Sequence, residues 1–223
     1  MEMRRRIEPL NRFLATTTVS KHRLFVWIFP PTLPDHQLVA FARDDDSAFG
    51  ILHSRLHEVW ALELGTQLED RPRYTPTTCF ETFPFPKPTD SQREAIAVAA
   101  RELNEHRNNW LNPPEWTREE TLTFPGSVEG PWGCYVTDAD ERGIGTVRYR
   151  RRVPKDEQAA NDLAKRTLTN LYNHMPAWLK QAHHKLDEAV FAAYGLSPSL
   201  SDEDILARLL DLNLREAAGE RPA

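Results

Sequence analysis

The chain has 223 residues, 40% hydrophobic and 27% charged, with a formal net charge of −5. That length admits one large domain or two small ones, and the composition excludes a mostly disordered chain. No apolar run approaches the roughly 20 residues that span a bilayer, so a membrane protein is not expected. The basic opening Met1 to Arg6 has no apolar core behind it, so secretion is not expected either. Cys79 and Cys134 stand far apart, which fits neither a disulfide framework nor a thiolate metal site. A reducing cytoplasm is the expected compartment.

In chain order, Leu24 to Phe29 is a continuous apolar run rich in β-formers, stopped by Pro30 and Pro31. It predicts a strand covered on both faces. Gln37 to Phe41 predicts a second strand, leading into Asp44-Asp45-Asp46. Phe49, Leu52, Leu56, Val59 and Leu62 then follow helical spacing. Asp46 or Ser47 would cap that helix, and Gly65 would end it in a left-handed conformation. Thr77 to Phe83 predicts a third strand. The alternating prolines of Phe83 to Pro88 cannot continue a ladder and predict an extended tether.

Beyond Pro88 a helix is predicted from Asp90 or Ser91 to about Asn104. Residues 112–152 are rich in Gly and Pro and weakly periodic, with a strand candidate at Thr146 to Tyr149. Three helices are expected after that insert. The first covers about Asp156 to Tyr172, and the second runs from Pro176 to Gly195. The third starts at Ser201, with Asp204 at capping-box spacing. The fold class expected is α+β: a small mixed α/β segment at 1–88, then a mostly helical region at 89–223 holding the irregular insert.

Self-contained catalytic constellations are not found. Asn112-Pro113-Pro114-Glu115 is like the Asn-Pro-Pro-aromatic loop with which amino-methyltransferases hold a flipped base. Glu115 stands where the stacking ring belongs, so a proline turn before a helix is the better account. His53 and His57 have the i, i+4 spacing of zinc pairs, but no Glu follows His53 and no third ligand is evident. Two half-exposed helix histidines are the plainer expectation, and a metal hydrolase built on them is a minor rival. Neither Gly143-Ile144-Gly145 nor any other stretch forms a nucleotide loop.

Basic residues at strand ends remain. Residues 1–30 hold six Lys or Arg against two Asp or Glu, whereas 201–223 hold three against six. Lys21 and Arg23 precede the first predicted strand, Arg43 follows the second, and Arg71 and Arg73 precede the third. Rigid strands could hold them toward phosphates or guanine edges. Solvated ion pairs with Asp44, Asp45, Glu69 and Asp70 account for the residue types equally well. The run Arg148 to Arg152 reads as a solvated loop.

A family resemblance enters at these same residues. Ser20 to Trp27, Phe41 to Asp46, Gly50 to Trp60, Arg73 to Thr78 and Glu81 to Pro86 resemble the large adenine-specific DNA methyltransferases. These are the single-chain restriction–modification and phage-defence methylases. Arg166 to Asn173, Lys185 to Gly195 and Leu206 to Leu214 resemble the C-terminal helical region of the same family. The resemblance implies a DNA target-recognition segment at 1–88 and a C-terminal region at 89–223.

The glycine-rich S-adenosylmethionine loop and the intact Asn-Pro-Pro-Tyr/Phe motif of that family are missing here. Both would lie upstream of Met1, so no catalytic, cofactor or metal residue is carried over. The expected function is a DNA-recognition and C-terminal fragment, inactive alone. Its partners would be double-stranded DNA and a methyltransferase catalytic domain or subunit. Lys21, Arg23, Arg43, Arg71 and Arg73 are the expected DNA contacts. The alternative is a non-catalytic interaction module, or a degenerate remnant, without DNA binding.

Overall fold

The structure, a computed structural model, describes residues 2–68 and 71–219. After helix α1 (Glu2–Ile7), strand β1 (Phe13–Thr17) forms the middle of a three-stranded antiparallel sheet between β2 (Val26–Ile28) and β3 (Leu38–Phe41). Sequence reasoning passed over β1, whose Phe13, Leu14 and Ala15 are all buried. The run Leu24 to Phe29 supplies only an edge strand, half-buried along its length, and Phe29 is 57% exposed. Trp27 explains why that edge is still apolar. Its ring stacks on Phe49 at 5.5 Å, and the Arg12 guanidinium lies 3.8 Å from its centroid.

The predicted helix after β3 is two helices, α2 (Asp46–His53) and α3 (Arg55–Leu64). Ser54 divides them. Its hydroxyl donates to the Ile51 carbonyl at 2.7 Å while accepting from the His57 amide, so one residue closes α2 and caps α3. The N-cap of α2 is Asp45, one residue earlier than expected, with its carboxylate accepting from the Ala48 amide. Gly65 ends α3 in an extended conformation, φ −72°, not a left-handed one. The chain turns there directly into strand β4 (Thr66–Leu68), which pairs antiparallel with β5 (Arg71–Arg73). A Cβ on Gly65 would stand 2.6 Å from the Ala61 carbonyl and 2.8 Å from that of Arg73.

The strand expected at Thr77 to Phe83 is instead the short helix α4 (Pro76–Cys79), opened by its proline and held by Cys79 N–H to Thr75 O. Its β-branched threonines read as strand, but among the described residues no strand pairs with this segment. Residues 84–89 are extended without a ladder, as their prolines require. Helix α5 (Asp90–Leu111) starts at a Thr89–Gln92 capping box and continues seven residues beyond the expected end.

The insert is not irregular. Strands β6 (Thr117–Ser127) and β7 (Ile144–Pro154), 11 residues each, form a long antiparallel hairpin that absorbs the strand candidate at 146–149. Val147 is the one buried residue among those of the two strands. Leu122 and Phe124 alternate with exposed threonines, and Val147 and Tyr149 with exposed arginines, but so short an alternation does not mark an 11-residue hairpin. The Asn112-Pro113-Pro114-Glu115 turn precedes this strand, not a helix, and the Pro113 carbonyl accepts from the Trp116 amide.

The helix expected over Asp156 to Tyr172 is broken into α6 (Glu157–Leu163) and α7 (Leu168–His174), with Thr167 capping the second. Helix α8 (Ala177–Tyr194) begins after Pro176 and ends at left-handed Gly195, φ 65°. Helix α9 (Asp202–Ala217) is capped by Ser201 through the Asp204 amide. Both follow the sequence signals. No helix of the described residues is long and apolar enough to cross a membrane.

One hydrophobic cluster joins the two ends of the chain. Phe25, Phe41, Phe49 and Leu52 meet Ile96 and Leu103 of α5, Leu186 and Val190 of α8, and Leu209 of α9. Gly50 marks the closest crossing. A Cβ there would lie 2.7 Å from Ile96 Cγ2 and 3.0 Å from Leu186 Cδ1. Gly50→Ala is therefore expected to lose about 1–3 kcal/mol from overpacking, despite the better helix former. A urea midpoint at or above that of the parent would show that the helices yield freely.

Candidate nucleic-acid interface

The segment following β1 is held on both sides. Thr18 N–H donates to Gln37 O at 2.8 Å and Thr18 O accepts from Tyr74 N–H at 2.7 Å, while Val19 bridges to Arg73. Arg23 locks this junction from inside. Its guanidinium donates to Thr16 Oγ1 at 3.0 Å, Thr17 O at 2.5 Å and Pro72 O at 3.2 Å, and lies 4.9 Å from the Tyr74 ring centroid. The result is a rigid ledge with a groove of about 640 Å³ lined by Thr17, Thr18, Val19, Leu33, Asp35, Gln37 and Leu38.

This groove presents exposed Asp35 and Gln37 among small hydroxyl groups. Carboxylate and amide side chains are the groups that pair with cytosine and adenine edges. Sequence reasoning missed them. Their only sequence signal is a short polar turn between two strands, and without β1 no groove could be drawn. The Asp35 carboxylate accepts from the Gln37 amide at 2.9 Å and so fixes the turn that displays both.

The five predicted basic residues fall into different settings. Arg73 is exposed on β5 beside the ledge, with no side-chain hydrogen bond or ion pair among the described residues. Arg71 is exposed two residues before it. Lys21 is exposed, and its ammonium donates to Asn173 Oδ1 of α7 at 2.7 Å. Arg43 is exposed but paired with Asp45 at 2.9 Å, on the far side of the sheet's register from Thr17. Arg23 is buried, with its hydrogen bonds spent inside the fold, so it shapes the ledge and does not line its surface. Glu69 and Asp70, the proposed acidic counterparts, lie outside the described residues.

His53 and His57 are buried, contrary to the half-exposed positions expected. His53 at the end of α2 and His57 in the first turn of α3 both face Phe25, whose ring centroid lies within 5.5 Å of each. His53 Nε2 accepts from Phe25 N–H and Arg107 Nη1, leaving Nδ1–H to donate to Phe49 O. His57 Nδ1 meets Leu52 O, and its Nε2 meets the Tyr74 hydroxyl. Both nitrogens of each ring are thus occupied by the fold. Among the described residues no three His, Cys, Asp or Glu side chains are placed to hold a metal ion.

Burial, reinforced by Arg107, holds His53 well below its usual range; burial also takes His57 down to about 3. His183, bonded to the Tyr172 hydroxyl at 2.8 Å, falls to about 4 for the same reason, with Arg107 adding to it. His53 and His183 border a cavity of about 350 Å³ between the N-terminal half and helices α7 and α8. They are neutral structural groups at pH 7.

A small sheet carrying a polar groove thus packs against a set of helices through one shared core. Residues 4–87 match the family model "MmeI, target recognition domain", and residues 155–218 match "MmeI, C-terminal domain". Together these span about two thirds of the chain, and the chain belongs to the MmeI family. No curated protein matches it. The fold is similar to a solved structure of the Type IIL restriction-modification enzyme MmeI in complex with DNA. The TM-score is 0.63 and the identity 20%, over 94% of this chain and 22% of that one. This chain therefore spans about a fifth of that protein's length.

Proposed function

We propose that this chain is the DNA-reading part of an adenine-specific DNA methyltransferase of a restriction–modification or phage-defence system. The observation that carries the reading is the coincidence of the target recognition match at 4–87 with the groove of Thr17, Thr18, Asp35 and Gln37. In this reading the groove meets base edges, while Arg73, Arg71 and Lys21 hold phosphates at its rim. Arg43 is a weaker candidate because Asp45 already neutralises it. Helices α5, α8 and α9 brace the groove.

Adenine flipping and transfer of the methyl group from S-adenosylmethionine belong to a catalytic domain or subunit outside these 223 residues. The sequence supplies no cofactor loop and no Asn-Pro-Pro-aromatic motif of its own. The cytoplasm is where such an assembly would act.

Binding of the purified chain to a random duplex library tests the reading. Enrichment of one short sequence is the expected result. No DNA binding at any salt, together with tight capture of a protein partner, would support an interaction module instead, a reading that the net charge of −5 favours. At a single residue, Arg73→Ala is expected to weaken duplex binding and make the slope of log affinity against log salt shallower by about 1. An unchanged slope would remove Arg73 from the interface.

A further inference from the structure

The β6–β7 hairpin lies between the two family matches and has no part in the reading above. Its register places Arg148, Arg150 and Arg152 on one face, opposite Thr123, Thr121 and Glu119. All three arginines are exposed, and alternate residues on such a strand stand about 6.8 Å apart. Arg148 is partly engaged, donating to Thr137 Oγ1 at 3.0 Å with Asp138 at 3.7 Å. Arg150 and Arg152 make no side-chain hydrogen bond or ion pair among the described residues. Glu119 is the one carboxylate that the two strands place on this face.

The position of the row matters as much as its charge. Arg148, Arg150 and Thr121 form one wall of a groove of about 630 Å³, and Phe29, Pro30 and Pro31 form the other. The same loop continues to Leu33, Asp35 and Gln37 in the first groove. Trp132 Nε1 donates to Pro31 O at 2.9 Å and ties the hairpin to that loop. A ligand seated on Asp35 and Gln37 would therefore meet the arginine row on the opposite side of a single loop.

We propose that Arg148, Arg150 and Arg152 form a second nucleic-acid contact, a clamp on the phosphate backbone of the duplex that the recognition groove reads. The inference rests on the DNA-reading function above. Regularly spaced guanidinium groups on a rigid strand fit a periodic polyanion, and each fork can take a phosphate bidentately. A row of this kind adds affinity without selecting sequence, because it touches no base edge. On a chain of net charge −5, it also supplies local attraction within a Debye length of the DNA.

The test is salt-dependent duplex binding by the full 223-residue chain carrying Arg150→Gln and Arg152→Gln. Affinity is expected to fall by one common factor on all duplexes, whatever their sequence, and the log–log salt slope to become shallower by about 2. Glu119→Gln should shift affinity the other way, a gain that misfolding cannot imitate. If the parent chain binds DNA but neither variant moves slope or affinity, the clamp is overturned and the recognition groove stands. A parent chain that binds no DNA at any salt overturns both.

Discussion

Arg23→Ala is expected to cost about 1.5–3 kcal/mol of stability, the range for hydrogen bonds made by a charged group. The wild-type guanidinium reaches two backbone carbonyls and one hydroxyl on two separate strands, β1 and β5. Truncation removes the guanidinium donor from Thr17 O, leaves Pro72 O with the Ser20 N–H at 3.3 Å, and empties the space above Tyr74. Chemical denaturation of the purified variant measures the loss. The salt slope of any remaining DNA binding should match the parent, which separates Arg23 from Arg73. A stable Arg23→Ala chain with a shallower slope would move Arg23 back to the DNA surface.

Acid sensitivity beginning near pH 6.5 is the second large effect. His53, His57 and His183 are neutral in the fold and held below their ordinary range, His57 at about 3 and His183 at about 4. The unfolded chain takes up these protons as pH drops through about 6.5, and the folded chain does not. Stability is therefore complete above pH 7 and is lost as pH falls toward the folded values. Each ring contributes up to about 1.4 kcal/mol per pH unit, so the three together reach about 4. Glu58 and Asp187 border the same cavity and are raised, chiefly by withdrawal from water, which works in the opposite sense nearer their own range. The clean window is thus pH 6.5 to about 5. Urea midpoints at pH 7, 6 and 5 should fall steeply, and a flat profile would mean that these rings are solvated.

The nitrogen-to-oxygen geometry around these histidines shows why their chemistry was misread from spacing. An i, i+4 spacing puts both rings on one face only within a continuous helix, and here Ser54 divides α2 from α3 between them. Around the two rings lie Phe25, Tyr74 and Arg107, contributed from three other places in the chain. Arg107 itself is buried with no carboxylate partner among the described residues, a setting that an ordinary helical arginine at its position does not announce.

Local signals were reliable wherever one residue decides the backbone. Ser201 and Gly195 bounded their helices because a hydroxyl cap and a left-handed glycine act within one turn. The prolines of 84–88 likewise excluded a ladder by their own geometry. The sequence by itself therefore determined the α+β class, the two terminal helices, and the family resemblance that the matches at 4–87 and 155–218 bear out. Only the tertiary structure decided which apolar run became the central strand, because burial depends on neighbours supplied from elsewhere. It alone showed the full hairpin, whose alternation is confined to a few central residues, and it alone separated Arg23 from Arg73. Two arginines flanking the same ledge read alike in sequence, and their roles parted when Thr17 and Pro72 closed over one of them.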